Sequence, residues 1–161
     1  MSKLILGVDV GGVITDPVND DTDKSFLGPD YLGTTAVPGA FEALRELRVR
    51  LNGLVYVVSK CKLKTELKTR RWLAHHRFYD VTGISPANVF YCRERHEKAP
   101  ICEDIGATHF IDDRLEVLGY LTTVPNKILF RPKEKEVEAN SQHLPSVTRV
   151  ESWAEALQLL R

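Results

Sequence analysis

Short runs of consecutive apolar residues recur along the chain, at 4–8, 54–58, 89–92, 109–111 and 127–130, each the length of one strand. The stretches between them carry helical spacing instead. Ala40, Ala43, Leu44 and Leu47 follow a Pro38-Gly39 start, and Leu115, Leu118 and Leu121 follow Asp112-Asp113. A last helix is predicted over 152–160, with Ser152 as N-cap and Glu155 three residues on to complete a capping box. Runs that are continuously apolar predict strands covered on both faces, and helices between them predict parallel pairing through right-handed crossovers. The predicted fold class is therefore α/β: a Rossmann-like central parallel sheet of about five strands flanked by helices, in a single domain over 1–161.

Two segments break the strand-helix rhythm. Residues 16–37 contain Pro17, Gly28, Pro29 and Gly33, and five aspartates (Asp16, Asp20, Asp21, Asp23, Asp30) against one lysine. A loop of this length inside a compact domain is expected either to be a functional flap or to be a plain insertion. Residues 132–148 are charged and weakly patterned, and the pattern assigns them no role.

Composition narrows the function classes. With 161 residues there is room for one domain, and 43% hydrophobic against 27% charged residues fits a chain with a packed core. Lys+Arg and Asp+Glu are both 22, a formal net charge of zero that argues against a general nucleic-acid coat. Three cysteines (Cys61, Cys92, Cys102) do not make a disulfide framework, and their odd number fits a reducing compartment. With no leader pattern and no apolar stretch of the ~18 residues a membrane span needs, the expectation is a cytoplasmic protein with no membrane partner.

The chemistry sits where the strands end, and open α/β sheets place ligands outside the carboxyl ends of their strands. Asp9 ends the first predicted strand, Ser59 follows the second, and Asp112-Asp113 end the fourth. If these strands are neighbours, the three polar ends converge on one crevice. The Gly11-Gly12 turn would bring backbone N–H groups to it as a nest for an anion. Clustered carboxylates need a cation among them, and a hard divalent ion, Mg²⁺, satisfies oxygen donors. Lys98 could add a fixed positive charge. Carboxylate nucleophile, hydroxyl, ammonium and Mg²⁺ together suit phosphoryl transfer.

Taken in order, the motifs Val8-Asp9-Val10-Gly11-Gly12-Val13-Ile14-Thr15, Val57-Val58-Ser59-Lys60, Lys98 and Phe110-Ile111-Asp112-Asp113-Arg114 resemble those of the haloacid dehalogenase (HAD) superfamily. Val37-Pro38-Gly39 before a helix and Val150-Glu151-Ser152-Trp153 before the last one look like its small nucleotidase-like members without a true cap domain. The resemblance implies a Mg²⁺-dependent phosphohydrolase in which Asp9 is the nucleophile and forms a phospho-intermediate. It implies metal ligation by Asp9, the Gly11 carbonyl and Asp112, with Asp113 assisting. Ser59, Lys98 and the Gly11, Gly12 and Lys60 region would bind the phosphoryl group. Two bland readings stand beside these: Ser59 as a helix N-cap, and Lys98 as a solvated lysine whose charge Lys60, Arg93 or Arg95 could supply instead.

One departure bears on activity. Phosphatase branches of this family usually place a second aspartate two residues after the nucleophile, where it protonates the leaving oxygen and activates water. Here that residue is Gly11. General acid or base help is worth ~10² to 10⁴ in rate, and Asp16, the loop aspartates and His96 are the substitutes the sequence offers. The alternative function is a catalytically impaired phosphate- or nucleotide-binding regulatory protein of the same fold. A dehalogenase would need no metal. The expected ligand is a phosphorylated small molecule, a nucleotide or a phosphopeptide, and a capless site is open to a protein partner. Lys60, Lys62, Lys64, Lys68, Arg70 and Arg71, opposed by Glu66, form either an anion-attracting helix or a solvated face; without interleaved aromatics they argue little for nucleic acid. The adjacent His75 and His76 point different ways and do not suit one metal. Cys61 lacks a partner histidine for nucleophilic catalysis.

Overall fold

The computed structural model describes residues 3–16 and 28–161. Six strands form one all-parallel sheet: β1 (Leu6–Val8), β2 (Val55–Lys60), β3 (Val89–Cys92), β4 (His109–Asp112), β5 (Asn126–Phe130) and β6 (Val147–Val150). Their spatial order is β3-β2-β1-β4-β5-β6, the doubly wound order in which the chain reverses direction across the sheet between β1 and β4. The five predicted strands are present with shifted ends. The sixth corrects the expectation of about five. Its sequence, Val147-Thr148-Arg149-Val150, lacks a continuous apolar run because an edge strand pairs on one side only, here with β5, and leaves Thr148 and Arg149 exposed.

Helices cover both faces. On one face lie α1 (Ala40–Arg50), α2 (Leu63–His75), α3 (Phe78–Thr82) and α7 (Trp153–Leu159), whose Leu44, Leu47, Trp72, Phe78 and Trp153 are buried against Leu6, Val8 and Val57. On the other lie α4 (Lys98–Ile105), α5 (Leu115–Tyr120) and α6 (Glu134–Ala139), with Cys102, Leu115, Leu118 and Val137 packed around Phe110 and Leu129. The predicted apolar positions of α1 are all buried. In α7 the Ser152 hydroxyl accepts from the Glu155 N–H at 3.1 Å, as expected of the N-cap. The return half of the box is displaced by one residue, since Glu155 accepts from the N–H of Glu151.

The segment 132–148, which the pattern left without a role, builds α6, a 3₁₀ turn at Ser141–Ser146 and the start of β6. Half of the predicted acidic flap, residues 17–27, lies outside the described residues. Its two limbs are joined: Thr15 bridges to Ala36, and the N–H of Val37 donates to the Ile14 carbonyl at 2.8 Å. The returning limb is tied to α2 through Trp72 Nε1, which donates to Thr34 O at 2.9 Å, and His76 Nε2, 2.7 Å from Leu32 O. Among the described residues no helix is long and apolar enough to cross a membrane.

Candidate active site

The reversal between β1 and β4 decides what can meet. Val8 pairs with Val57 on one side and Ile111 on the other, so the residues just beyond these pairs, Asp9, Ser59 and Asp112-Asp113, emerge at one edge of the sheet. They line a cleft of about 240 Å³ together with Val10, Gly11, Gly12, Lys60 and Lys98. Asp9, Gly11, Gly12, Ser59, Lys60, Lys98, Asp112 and Asp113 are therefore brought to one place.

Lys98 is the centre of the charge network. It is 2% exposed, and its Nζ donates to Asp9 Oδ1 at 2.9 Å and Asp112 Oδ2 at 2.8 Å. A solvated lysine is excluded. Burial alone would pull the ammonium's pKa down, but the carboxylates of Asp112 and Asp9 outweigh it and hold the charge well above the usual lysine range. Its Nζ also lies over the Phe110 ring, 5.5 Å from the centroid. That ring lies where a side chain on the neighbouring Gly7 would be, since a Cβ there would stand 2.5 Å from it. Of the basic alternatives, Arg93 is committed to Cys61 O and Glu66, and Arg95 to Glu116.

Asp112 is fixed from its other oxygen as well, accepting from the Arg114 N–H at 3.0 Å. Asp9, Asp112 and Asp113 each offer a carboxylate oxygen within 4.8 Å of the others. Crowding and burial have the expected effect. Burial, then the charge of Asp112, push Asp9 up to about 6 against the pull of Lys98. Burial, then Asp9 and Asp112, push Asp113 up to about 9. One ammonium does not balance three carboxylates, and an all-oxygen donor set short of positive charge fits a hard divalent cation.

The glycine turn departs from the predicted nest. Gly12 N–H donates to Thr15 O at 2.9 Å, and the N–H groups of Val13, Ile14 and Thr15 all turn inward to Val10 O. Gly12 is thus not an open donor to a ligand, and its place in the site is steric. The turn is anchored from beneath by Trp153 Nε1, which donates to Val13 O at 2.9 Å. Ser59 is 6% exposed and belongs to β2. It is not the N-cap of α2, a position held by Lys62.

No family model matches the chain. It is 27% identical over 121 residues, 75% of its length, to a protein of Oceanobacillus iheyensis named "Putative nucleotidase". It is 25% identical over 131 residues, 81% of its length, to a Bacillus cereus protein of the same name. The matched regions cover 59% and 64% of those relatives, so the chain spans about three-fifths of their length.

Several residues of the cleft were not singled out by sequence. Thr15, Thr65 and Thr69 line the wall on the α2 side, and Arg114, Val117, Lys133 and Glu136 the wall on the α5 side. The Glu136 carboxylate accepts from the N–H groups of Leu115 and Glu116 at 2.7 and 2.9 Å, capping α5 from α6. It thereby holds the segment that begins with Asp112-Asp113. Only a contact pattern could find it, since the acid and the helix it caps are 20 and more residues apart. Of the proposed substitutes for the second aspartate, neither Asp16 nor His96 lines the cleft. Asp16 accepts from the Thr35 hydroxyl, and His96 stacks edge-on to Tyr120; Asp20, Asp21 and Asp23 lie outside the described residues. His75 and His76 belong neither to the acidic cluster nor to the cleft lining, and His76 packs on Trp72. Burial raises the pKa of all three cysteine thiols, Cys92 to about 11 and Cys102 to about 12, which disfavours the thiolate that cysteine catalysis needs.

Proposed function

We propose that the chain is a Mg²⁺-dependent phosphohydrolase of the HAD type, acting on a phosphate monoester through a phospho-intermediate on Asp9. The observation that carries the reading is the cluster of buried Asp9 and Asp112, bridged by Lys98, with half-buried Asp113 at the β1/β4 reversal. The relatives named as nucleotidases agree with the reaction class and with a phosphorylated small molecule or nucleotide as substrate. An open cleft also admits a phosphopeptide.

Asp9, Asp112 and Asp113, with the Gly11 carbonyl, would hold Mg²⁺, which when bound offsets negative charge on the phosphoryl oxygens. The side chains do the rest. Asp9 presents the carboxylate oxygen not paired with Lys98 to phosphorus; a phosphorus–oxygen bond forms as the bond to the leaving oxygen breaks. Lys98 keeps Asp9 charged and oriented, and Ser59 can donate to a phosphoryl oxygen from the opposite wall. Water then attacks phosphorus and releases phosphate from Asp9. Neither step has a carboxyl group at position 11 to move the proton, so esters with acidic leaving groups should react best.

A screen of phosphorylated metabolites, nucleotides and phosphopeptides with Mg²⁺, run beside Asp9→Asn, tests the reading. Turnover that needs Mg²⁺ and vanishes in Asp9→Asn supports it; turnover that survives Asp9→Asn overturns it. Gly11 favours a second reading, a binding protein that retains the site without turnover. Tight, Mg²⁺-dependent phosphate binding with no hydrolysis of any ester would select it.

A further inference from the structure

We infer that Arg93 is a positioning residue for the proposed phosphoryl transfer, tying the α2 wall of the cleft to the turn that delivers Lys98. The inference rests on the proposed phosphate site at Asp9 and adds to it a side chain that does not line the cleft.

Two neighbouring strands diverge at this edge of the sheet. β2 and β3 run side by side as far as the Cys61 N–H, which donates to the Cys92 carbonyl at 2.9 Å. Beyond that bond β2 leads into α2 on one face of the sheet and β3 into α4 on the other. Cleft residues ride on both paths: Ser59, Lys60, Cys61 and Thr65 on the first, Lys98 on the second. The ladder holds the paths together only up to its last bond.

Arg93, the first residue after β3, bridges the gap that follows. Its Nη1 donates to the Cys61 carbonyl at 3.0 Å and its Nη2 to Glu66 Oε1 at 2.8 Å. Glu66 lies in the first turn of α2, so one side chain holds both the loop after β2 and the helix beyond it. The backbone of Arg93 is fixed as well. Its N–H and that of Glu94 donate to Glu97 Oε1 at 3.1 and 2.7 Å, closing the turn that ends at Lys98. On the other path, the Cys61 thiol lines the cleft, and a hydrogen bond with the Ser59 hydroxyl opposes the rise that burial imposes on its pKa. The chain of contacts from Arg93 thus runs to Ser59 on one side and to Lys98 on the other.

Neither stability nor charge accounts for this arrangement. The Arg93 side chain is 47% exposed, and an ion pair so open to water is worth ~0–1 kcal/mol. Arg70 already pairs with the other Glu66 oxygen at 2.9 Å, so the carboxylate would be neutralised without Arg93. What Arg93 adds is geometry. A planar guanidinium offers its donors in a fixed fork, which sets the separation of the two groups it grips, whereas an ammonium on a flexible stem does not.

The test compares the parent with Arg93→Met and Arg93→Lys. It reads melting temperature, Mg²⁺ affinity, Mg²⁺-dependent affinity for beryllofluoride, and kcat and KM for an aryl phosphate. In Arg93→Met, melting and Mg²⁺ affinity are expected to stay close to those of the parent, because the lost donors served Cys61 and Glu66 and not the three carboxylates. Beryllofluoride affinity and kcat should fall about tenfold or more while KM moves less than about threefold, since misplacing a reacting group by ~1 Å costs up to ~10² in rate. Arg93→Lys, which keeps the charge but not the fork, should share the loss. The inference is overturned if folded Arg93→Met binds beryllofluoride as the parent does, or if Arg93→Lys restores it in full. It is also overturned if KM rises while kcat holds, which would make Arg93 a charge that draws substrate in, or if Mg²⁺ affinity and melting temperature fall together, which would make it a general prop. Should Arg93→Met fail to fold, Arg93→Lys carries the comparison, and unchanged beryllofluoride affinity there overturns the inference. A parent that binds beryllofluoride but hydrolyses no ester removes hydrolysis and leaves Arg93 to be judged on binding; a parent that binds no beryllofluoride overturns the phosphate site and the inference together.

Discussion

A Cβ on Gly12 would stand 2.3 Å from Asp113 Oδ2, so the turn after β1 and the acid after β4 share the crevice only because residue 12 has no side chain. Gly12 also sits at φ +81°, where a side chain is strained. Gly12→Ala should displace Asp113 and destabilise the fold by about 1–2 kcal/mol from backbone strain alone. Mg²⁺ affinity should drop with it. Thermal melts and Mg²⁺ titration check this, and unaltered Mg²⁺ affinity would remove Asp113 from the metal site.

The neighbouring glycine predicts the opposite tolerance. A Cβ on Gly11 meets nothing within 4 Å, and its φ lies outside the left-handed region. Gly11→Asp should therefore fold normally and place a carboxyl group in the cleft. Activity should rise more for alkyl than for aryl phosphates, because poor leaving groups depend most on protonation. The ratio of the two rates is the diagnostic quantity. A folded, Mg²⁺-binding variant with no gain on alkyl esters would show that another group already supplies the proton or that the site does not hydrolyse.

Lys98 joins two buried carboxylates, and its removal leaves them repelling in a dry site. Lys98→Met should cost roughly 3–5 kcal/mol in the metal-free protein. Because a divalent ion would then supply the missing charge, Mg²⁺ should raise the melting temperature of the variant more than that of the parent. Equal shifts would mean that the ion does not bind between these groups.

Glu136→Ala should uncap α5. Loss of an acid that accepts two helix N–H groups is expected to lower stability by about 1–2 kcal/mol, and hydrogen exchange at Leu115 and Glu116 should quicken locally. The local change separates a cap from a general loss of packing.

Around the mouth, Lys60 lines the cleft while Lys62 and Lys64 are exposed on its α2 flank. Replacing all three by Ser should weaken apparent affinity for an anionic substrate and flatten its salt dependence more than it lowers the maximal rate, since steering acts before chemistry. An unchanged salt profile would return these lysines to a solvated face. Two basic residues further along α2 are already in use: Arg70 pairs with Glu66 and stacks on Tyr91, and Lys68 lies over the Tyr31 ring.

The amino-acid sequence by itself determined the α/β class, five of the six strands, the core faces of α1 and α5, and the polar residues Asp9, Ser59 and Asp112-Asp113 at the strand ends, whose convergence waited on the order β2-β1-β4. These follow from local period and from which residue ends each apolar run, and both are properties of neighbours in the chain. Tertiary structure alone decided the rest. β6 is a strand because β5 offers it a partner, not because of its own apolar content. Whether Lys98 was solvated or buried depended on a contact with Asp9 across 89 residues. Glu136 became a cap, and Gly12 a steric clearance instead of a donor, only once α6 met α5 and β4 lay beside β1. Burial and charge pairing are set by what the crossovers bring together, and a crossover joins groups whose separation along the chain carries no periodic mark.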